Sequence, residues 1–334
     1  MSVTFIKLPH ISDSAEDRMK LRVTCQGFIQ FLLLSIGLSI LAHFISQSGI
    51  IDNLWIITTV DIPLLILAFG LSLANIGSKV YRWKYLSNYY YREISWHDAS
   101  LVSVSSLFFA NITPGKIGDL YKAYFMKRRY GVQFLDGVSM IFYERFFELT
   151  ILFLVAAGIA MIQLRAITVI ALEFTLLVLF LLLVFYYKAD FFIGLAQRVL
   201  VKLPTEKIDP GRDLRIRKMP FLNITVVFLI TVISLVLEFV RLWVVALAFG
   251  FLLNPIQLSI FMSLAFIIGL VSQIPLGVGA MEGSLNYFVA SMGVPSVTAI
   301  AIVLVDRTIS MYFALVLGFI FSKFSLDALK DAVT

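Results

Sequence analysis

Apolar residues gather into blocks of roughly 18–28 along this chain, about the number a helix needs to cross a ~30 Å hydrocarbon core at ~1.5 Å per residue. Six blocks read as full crossings, over 24–46, 60–80, 138–162, 166–187, 221–250 and 297–322. Two other apolar stretches, 98–113 and 256–275, behave differently: each runs into a proline with glycine within two residues of it. The pattern predicts an all-α polytopic membrane protein, with about six full transmembrane helices plus two re-entrant helical hairpins. Asp61 followed by Pro63 reads as the N-cap and first-turn proline of the second crossing.

Composition narrows the class further. Of 334 residues, 60% are hydrophobic and 14% charged, with a mean hydropathy of +0.94, whereas soluble domains lie near 45–50% and about 25%. Disorder, a disulfide-stapled scaffold and a soluble cytosolic enzyme are excluded. A single cysteine, Cys25, cannot close an internal disulfide, and His10, His43 and His97 are scattered, so no metal or other cofactor is expected. No cleavable signal peptide is expected at the N-terminus.

The net charge of +6 would suggest nucleic acid on a soluble protein, but the placement of the charges points to membrane topology and to no nucleic-acid partner. Lys and Arg accumulate on the cytoplasmic side. Residues 1–22 carry four, 46–60 none, 78–97 four, 114–137 five, 188–220 eight and 251–296 none, with Lys323 and Lys330 in the tail. Two consecutive positive segments, 78–97 and 114–137, flank 98–113, so a straight crossing there would put one of them outside. A hairpin that enters from the cytoplasm and turns back near Pro114–Gly115 removes the conflict. Such broken backbone is allowed at that depth only when protein or a watery cavity surrounds it. For 256–275, whose flanks are uncharged, a hairpin entering from the exterior fits better than a crossing, since both termini then stay cytoplasmic. The organisation is a cytoplasmic N-terminal segment (1–23), a first half (24–187) with its hairpin at 98–129, and a cytoplasmic loop (188–220). A second half (221–325) follows, with its hairpin at 256–292, and then a cytoplasmic tail (326–334). Within the loop, Phe191, Phe192, Leu195, Val199 and Leu203 form one apolar face of an interfacial helix.

The two halves repeat one ordered set of residues. N-I-T-P-G-K-I-G-D from Asn111 to Asp119 is followed by Gly131-Val132 and Glu144-Arg145. Q-I-P-L-G-V-G-A-M-E from Gln273 to Glu282 is followed by Gly293-Val294 and Asp306-Arg307. Upstream, Arg82-Trp83 matches Arg241-Leu-Trp243. Copies that open from opposite faces are related by an axis in the membrane plane, the arrangement by which transporters expose one site to either side.

Each break, around Pro114, Gly115 and Gly118 and around Pro275, Gly277 and Gly279, leaves a returning half-helix whose N-terminus favours an anion. Glu144, Arg145, Glu148, Glu238, Arg241, Asp306 and Arg307 fall inside apolar helices; each costs ~2.5–3.5 kcal/mol or more at the centre of a lipid-exposed helix and is expected to face the interior. Neighbours on a helix diverge by about 100°, so Glu144 cannot neutralise Arg145. By repeat symmetry Asp119 is expected to meet Arg145, and Glu282 to meet Arg307. These charges read either as ion pairs that lock the hairpins or as a cavity in which Lys116, Arg145 and Arg307, with Asn111 and Gln273, hold a phosphate-bearing headgroup.

The strings N-I-T-P-G-K-I-G-D…E-R-F-F-E and I-P-L-G-V-G-A-M-E…D-R resemble the flippase-like membrane domain of lysylphosphatidylglycerol synthases, the multiple-peptide-resistance family, over about residues 20–325. The resemblance implies movement of an aminoacylated phospholipid, hopanoid or polyprenyl-linked lipid between leaflets. Its motif residues fall on Pro114, Gly115, Gly118, Asp119, Glu144 and Arg145, and in the second copy on Pro275, Gly277, Gly279, Glu282, Asp306 and Arg307. With no soluble aminoacyl-transfer domain in the chain, lipid lysylation by it alone is not expected. The leading expectation is a lipid translocator of the plasma membrane, not an enzyme, with membrane lipids as partners. A homodimer and a separate lipid-modifying enzyme are the candidate protein partners. The alternatives are a membrane-embedded transferase acting on a polyprenyl-phosphate-linked sugar, or a membrane subunit of a lipid-modifying synthase.

Overall fold

In the computed structural model, which describes residues 15–90, 93–163 and 220–331, every regular element is helical. Helix α1 (Ala15–Ser48) is followed by a short 3-10 segment and by α2 (Ile62–Tyr90). Asp61 opens α2 as expected, its carboxylate accepting from the Leu64 N–H at 3.2 Å. Next come α3 (Trp96–Ile112), a 3-10 turn over Pro114–Asp119, α4 (Leu120–Tyr130) and α5 (Phe134–Gln163). The expected crossing over 166–187 and the interfacial helix of 188–220 lie outside the described residues.

The second half restates that order. Helix α6 (Phe221–Ala248) precedes α7 (Pro255–Val271), a 3-10 turn over Pro275–Gly277, α8 (Ala280–Ser291) and α9 (Ser296–Arg307). A π-helical turn over Thr308–Tyr312 continues α9 into α10 (Phe313–Asp331). The lengths correspond: 29 and 28 residues for α2 and α6, 17 each for α3 and α7, 11 and 12 for α4 and α8. Local chemistry sets the ends. Ser95 caps α3 by accepting from Asp98 N–H, and Asn254 caps α7 ahead of Pro255. Gly131 ends α4 in the left-handed region at φ +67°.

The two halves interlock. Helices α2 and α6, which carry the Arg–Trp repeats, pack against each other, with Asn75 donating to the Ser234 carbonyl at 2.6 Å. Helix α3 of the first half lies on α10 of the second, and α7 lies on α5. The α3–α10 approach is close: a Cβ on Gly318 would come within 2.8 Å of the Val104 carbonyl. Helix α1 leans on the second break, where Gly37 and Gly279 bring the two backbones together.

Polarity runs inside out. Phe31, Ile66 and Leu222 are about 70% exposed, whereas Glu282 and Asp306 are fully buried. That is what a lipid-facing surface around a polar interior requires. Among the described residues four helices are long and apolar enough to cross a membrane: Gln30–Ser48, Ile62–Tyr90, Leu222–Ala248 and Ser296–Leu329. Helix α5 has 30 residues but carries Glu144, Arg145 and Glu148 in its middle. Helix α2 continues ten residues past the boundary expected at 80, and Lys79 and Arg82 thereby leave the loop set and join the interior. Lys122 does the same on α4. Lys79 and Arg82 of 78–97, and Lys116 and Lys122 of 114–137, therefore belong to the interior and not to the loop charges counted for topology.

Candidate cationic cavity

The first break is built by sterics. Gly115 and Lys116 both take left-handed backbone, at φ +60° and +58°. The Thr113 hydroxyl donates back to the Phe109 carbonyl and accepts the Gly118 N–H at 2.7 Å, replacing helix bonds that Pro114 interrupts. A Cβ on Gly118 would fall 1.9 Å from the Phe109 carbonyl oxygen, so only glycine permits the turn to close. Here Lys116 Nζ lies 4.0 Å from Glu148 Oε1 with its side chain 37% exposed. Arg145 of α5 bridges two acids: its Nε donates to Asp119 at 2.7 Å, its Nη2 also meets Asp119, and its Nη1 donates to Glu148 at 2.7 Å.

At the second break Gln273 and Leu276 adopt φ +55° and +64°. Arg307 Nε donates to Glu282 Oε1 at 2.9 Å and Nη2 to the Leu276 carbonyl at 2.9 Å. Both pairs expected from repeat symmetry, Asp119–Arg145 and Glu282–Arg307, are thus formed. The half-helix termini require a correction. The other oxygen of Glu282 accepts the Gly279 N–H at 2.7 Å, so the α8 N-terminus is filled by its own third residue and does not stand open for a foreign anion.

A second set of pairs also follows the repeat, beyond the two that its spacing predicts. Arg82 Nε donates to Glu144 Oε1 at 3.1 Å, and Arg241 Nε donates to Asp306 Oδ1 at 2.9 Å. The Arg of each Arg–Trp motif therefore meets the acid of its own half's acid–Arg dipeptide. The charged neighbours that cannot neutralise one another are each satisfied by a different helix. Glu144 also accepts from Lys122 Nζ at 2.7 Å, and Lys79 reaches Glu238 at 2.7 Å across α2 and α6. Glu238 and Arg241, three residues apart on α6, each pair with another helix, whereas Arg145 and Glu148 at the same spacing on α5 pair with each other. One local feature marks the face on which Lys79 and Arg82 lie, though not which way it turns, and Lys122 on α4 has no such mark. Ser72, Asn75, Lys79 and Arg82 recur at helical spacing along α2 and mark a polar stripe.

These groups surround a cavity of about 420 Å³. Seven cations of the described residues line it: Lys79, Arg82, Lys116, Lys122, Arg145, Arg241 and Arg307. Three carboxylates share the wall, Asp119, Glu148 and Glu238, while Glu144, Glu282 and Asp306 stand behind the cations they pair with. Asn111, Gly115, Gln273 and Gly277 line it too, so residues of both breaks face one space. Gly118, Pro275 and Gly279 shape the turns and do not line the wall. A guanidinium or ammonium in such a setting binds phosphate well.

A model of the lysylphosphatidylglycerol synthase TM region matches residues 29–318, a span that contains every residue named at the cavity. The chain is also similar to a UPF0104 membrane protein of Methanothermobacter thermautotrophicus. The two are 28% identical over 253 residues, covering 70% of this chain and 75% of that relative.

Proposed function

We propose, for a chain that belongs to the family of the lysylphosphatidylglycerol synthase transmembrane region, that it is a lipid translocator. A lipid headgroup passes between leaflets through the cationic cavity while the acyl or prenyl tails stay in the bilayer. The observation that carries this reading is that, among the described residues, seven cations from both halves converge on one space of about 420 Å³ inside a largely apolar protein. A charged headgroup cannot cross hydrocarbon unaided, and a lined polar chamber replaces its water.

The reading takes α3–α4 and α7–α8 as hairpins entering from opposite faces, so that the halves form an inverted repeat. Matching element lengths, matching ion pairs and the reciprocal packing of α3 on α10 and α7 on α5 support it. So does the charge pattern: Lys127, Arg128 and Arg129 end the first hairpin, and 251–296 holds no Lys or Arg. On this reading both termini are cytoplasmic in the plasma membrane. Transport is preferred over a transferase because, among the described residues, every carboxylate at the cavity is paired with Lys or Arg, which favours holding each one charged over its taking up a proton. A separate enzyme then makes or consumes the lipid, and membrane lipids are the ligands of this chain.

The test is leaflet exchange in proteoliposomes. Purified protein is reconstituted with headgroup- or tail-labelled anionic, aminoacylated, zwitterionic and polyprenyl-phosphate lipids, and outer-leaflet label is quenched chemically. Faster loss of inner-leaflet label for at least one class is expected. Exchange no faster than in protein-free vesicles for all of them would reject the reading.

A further inference from the structure

The two halves do not treat the cavity alike, and the difference identifies a ligand. At the second break Glu282 is fully buried and double-bonded, to Gly279 N–H and to Arg307, while Arg307 is spoken for by Glu282 and the Leu276 carbonyl. No Lys or Arg lies between Gln273 and Glu282. That half already contains its anion. At the first break Arg145 is 30% exposed and shares Glu148 with Lys116, whose own contact is long at 4.0 Å. Among the cavity's described cations Lys116 is therefore the one held least tightly.

The charges also fail to cancel. Seven cations line the wall, and six carboxylates line it or stand directly behind it, which leaves one positive charge among the described residues. An unbalanced charge in apolar surroundings is costly, and a ligand that removes it is favoured. Ser103 on α3, a wall residue itself buried, has a hydroxyl with no hydrogen-bond partner among the described residues, a second polar group without an internal mate.

We infer that the cavity takes a lipid phosphodiester carrying one negative charge, bound by Lys116 and Arg145 of the first break, while the second break serves as a self-capped scaffold. This rests on the translocator reading for the lipid nature of the ligand. A phosphodiester cancels the excess charge of the described residues, and its two non-bridging oxygens can engage an ammonium and a guanidinium together. A phosphomonoester of two charges overshoots to a net negative cavity. A zwitterionic lipid leaves the excess in place, and a lysylated phosphatidylglycerol adds to it.

The experiment is competitive lipid binding by native mass spectrometry on the full chain in detergent. The protein is presented with an equimolar mixture of phosphatidylglycerol, phosphatidic acid, phosphatidylcholine and lysyl-phosphatidylglycerol with identical tails. The phosphatidylglycerol adduct is expected to exceed each of the others by about tenfold, the least that one charge-assisted contact supplies. Lys116→Gln is expected to bring the ratios near parity and Lys116→Arg to keep them. Lys127→Gln, outside the cavity in the last turn of α4, is expected to leave them unchanged. Preference for lysyl-phosphatidylglycerol or phosphatidic acid overturns the inference, as does full selectivity in Lys116→Gln. A glycerophosphoglycerol arm, the tail-free phosphodiester of the same single charge, separates the sources: displacement of lipid by this free anion at equal concentration would make the site one for soluble phosphodiesters and overturn the lipid assignment. Selective binding without leaflet exchange defeats the translocator reading alone, and exchange without charge selectivity defeats this inference alone.

Discussion

Gly115 and Gln273 meet where the two helix breaks touch: a Cβ on Gly115 would stand 2.8 Å from Gln273 Oε1. Both residues hold left-handed backbone, at φ +60° and +55°. One residue from each half thus forms a seam at the cavity wall, and neither can be altered without reaching the other.

Gly115→Ala is expected to cost about 1–2 kcal/mol, because an L-residue is strained in the left-handed region and the new methyl displaces the Gln273 amide. In a Gln273→Ala background the same change should cost less, since only the backbone part remains. Unfolding in detergent of the two single variants and the double variant measures the coupling. Equal costs in both backgrounds would show that the seam carries no energy.

Removing either repeat arginine should not be equivalent. Arg241→Gln leaves Asp306, fully buried, without the cation the structure gives it, and about 3–5 kcal/mol of destabilisation is expected. After Arg82→Gln, Glu144 keeps Lys122 at 2.7 Å, so the loss should be smaller by about 1 kcal/mol or more. Asp306→Asn combined with Arg241→Gln should recover much of the deficit. Thermal unfolding followed by size-exclusion fluorescence ranks the three.

Glu282 has two tasks that a conservative change separates. Glu282→Gln keeps an acceptor for the Gly279 N–H and removes the charge facing Arg307, whereas Glu282→Ala removes both. Alanine is expected to be worse than glutamine by about 0.5–2 kcal/mol, the range of a helix cap. Identical stabilities would mean that the cap contributes nothing.

Lys116 and Arg145 should divide function from folding. Lys116→Gln is expected to slow leaflet exchange of anionic lipid by about tenfold with little change in melting temperature, since among the described residues the Lys116 ammonium makes only the long contact to Glu148. Arg145→Lys should slow exchange and lower stability together, because one ammonium cannot replace the planar fork that spans Asp119 and Glu148. Exchange rates paired with melting temperatures distinguish the two outcomes. A Lys116→Gln protein with undiminished exchange would remove Lys116 from the ligand path.

Much of this architecture was written locally. Helix α6 spans Phe221–Ala248 against an expected 221–250, and the breaks fall at Pro114 and Pro275, where proline removes a donor and glycine accepts the turn. The Asp119–Arg145 and Glu282–Arg307 pairs were readable because each acid and arginine recur at nearly one spacing, 26 and 25 residues. A repeated interval constrains partners even when the fold is unknown.

Other assignments waited on three dimensions. A lysine or arginine near the end of an apolar block can send its long side chain to the headgroups or turn it inward, and position along the chain is the same in both cases. Lys79, Arg82 and Lys122 turn inward because α2, α4, α5 and α6 bring Glu238 and Glu144 to them from 22 to 159 residues away. Composition and hydropathy periodicity determined that the protein is helical and membrane-embedded, since those depend on each residue's own preference for water or hydrocarbon. Which charge neutralises which, and the excess of one positive charge among the described residues of the cavity, depended on helix packing, because Coulomb attraction acts through space and takes no account of chain order.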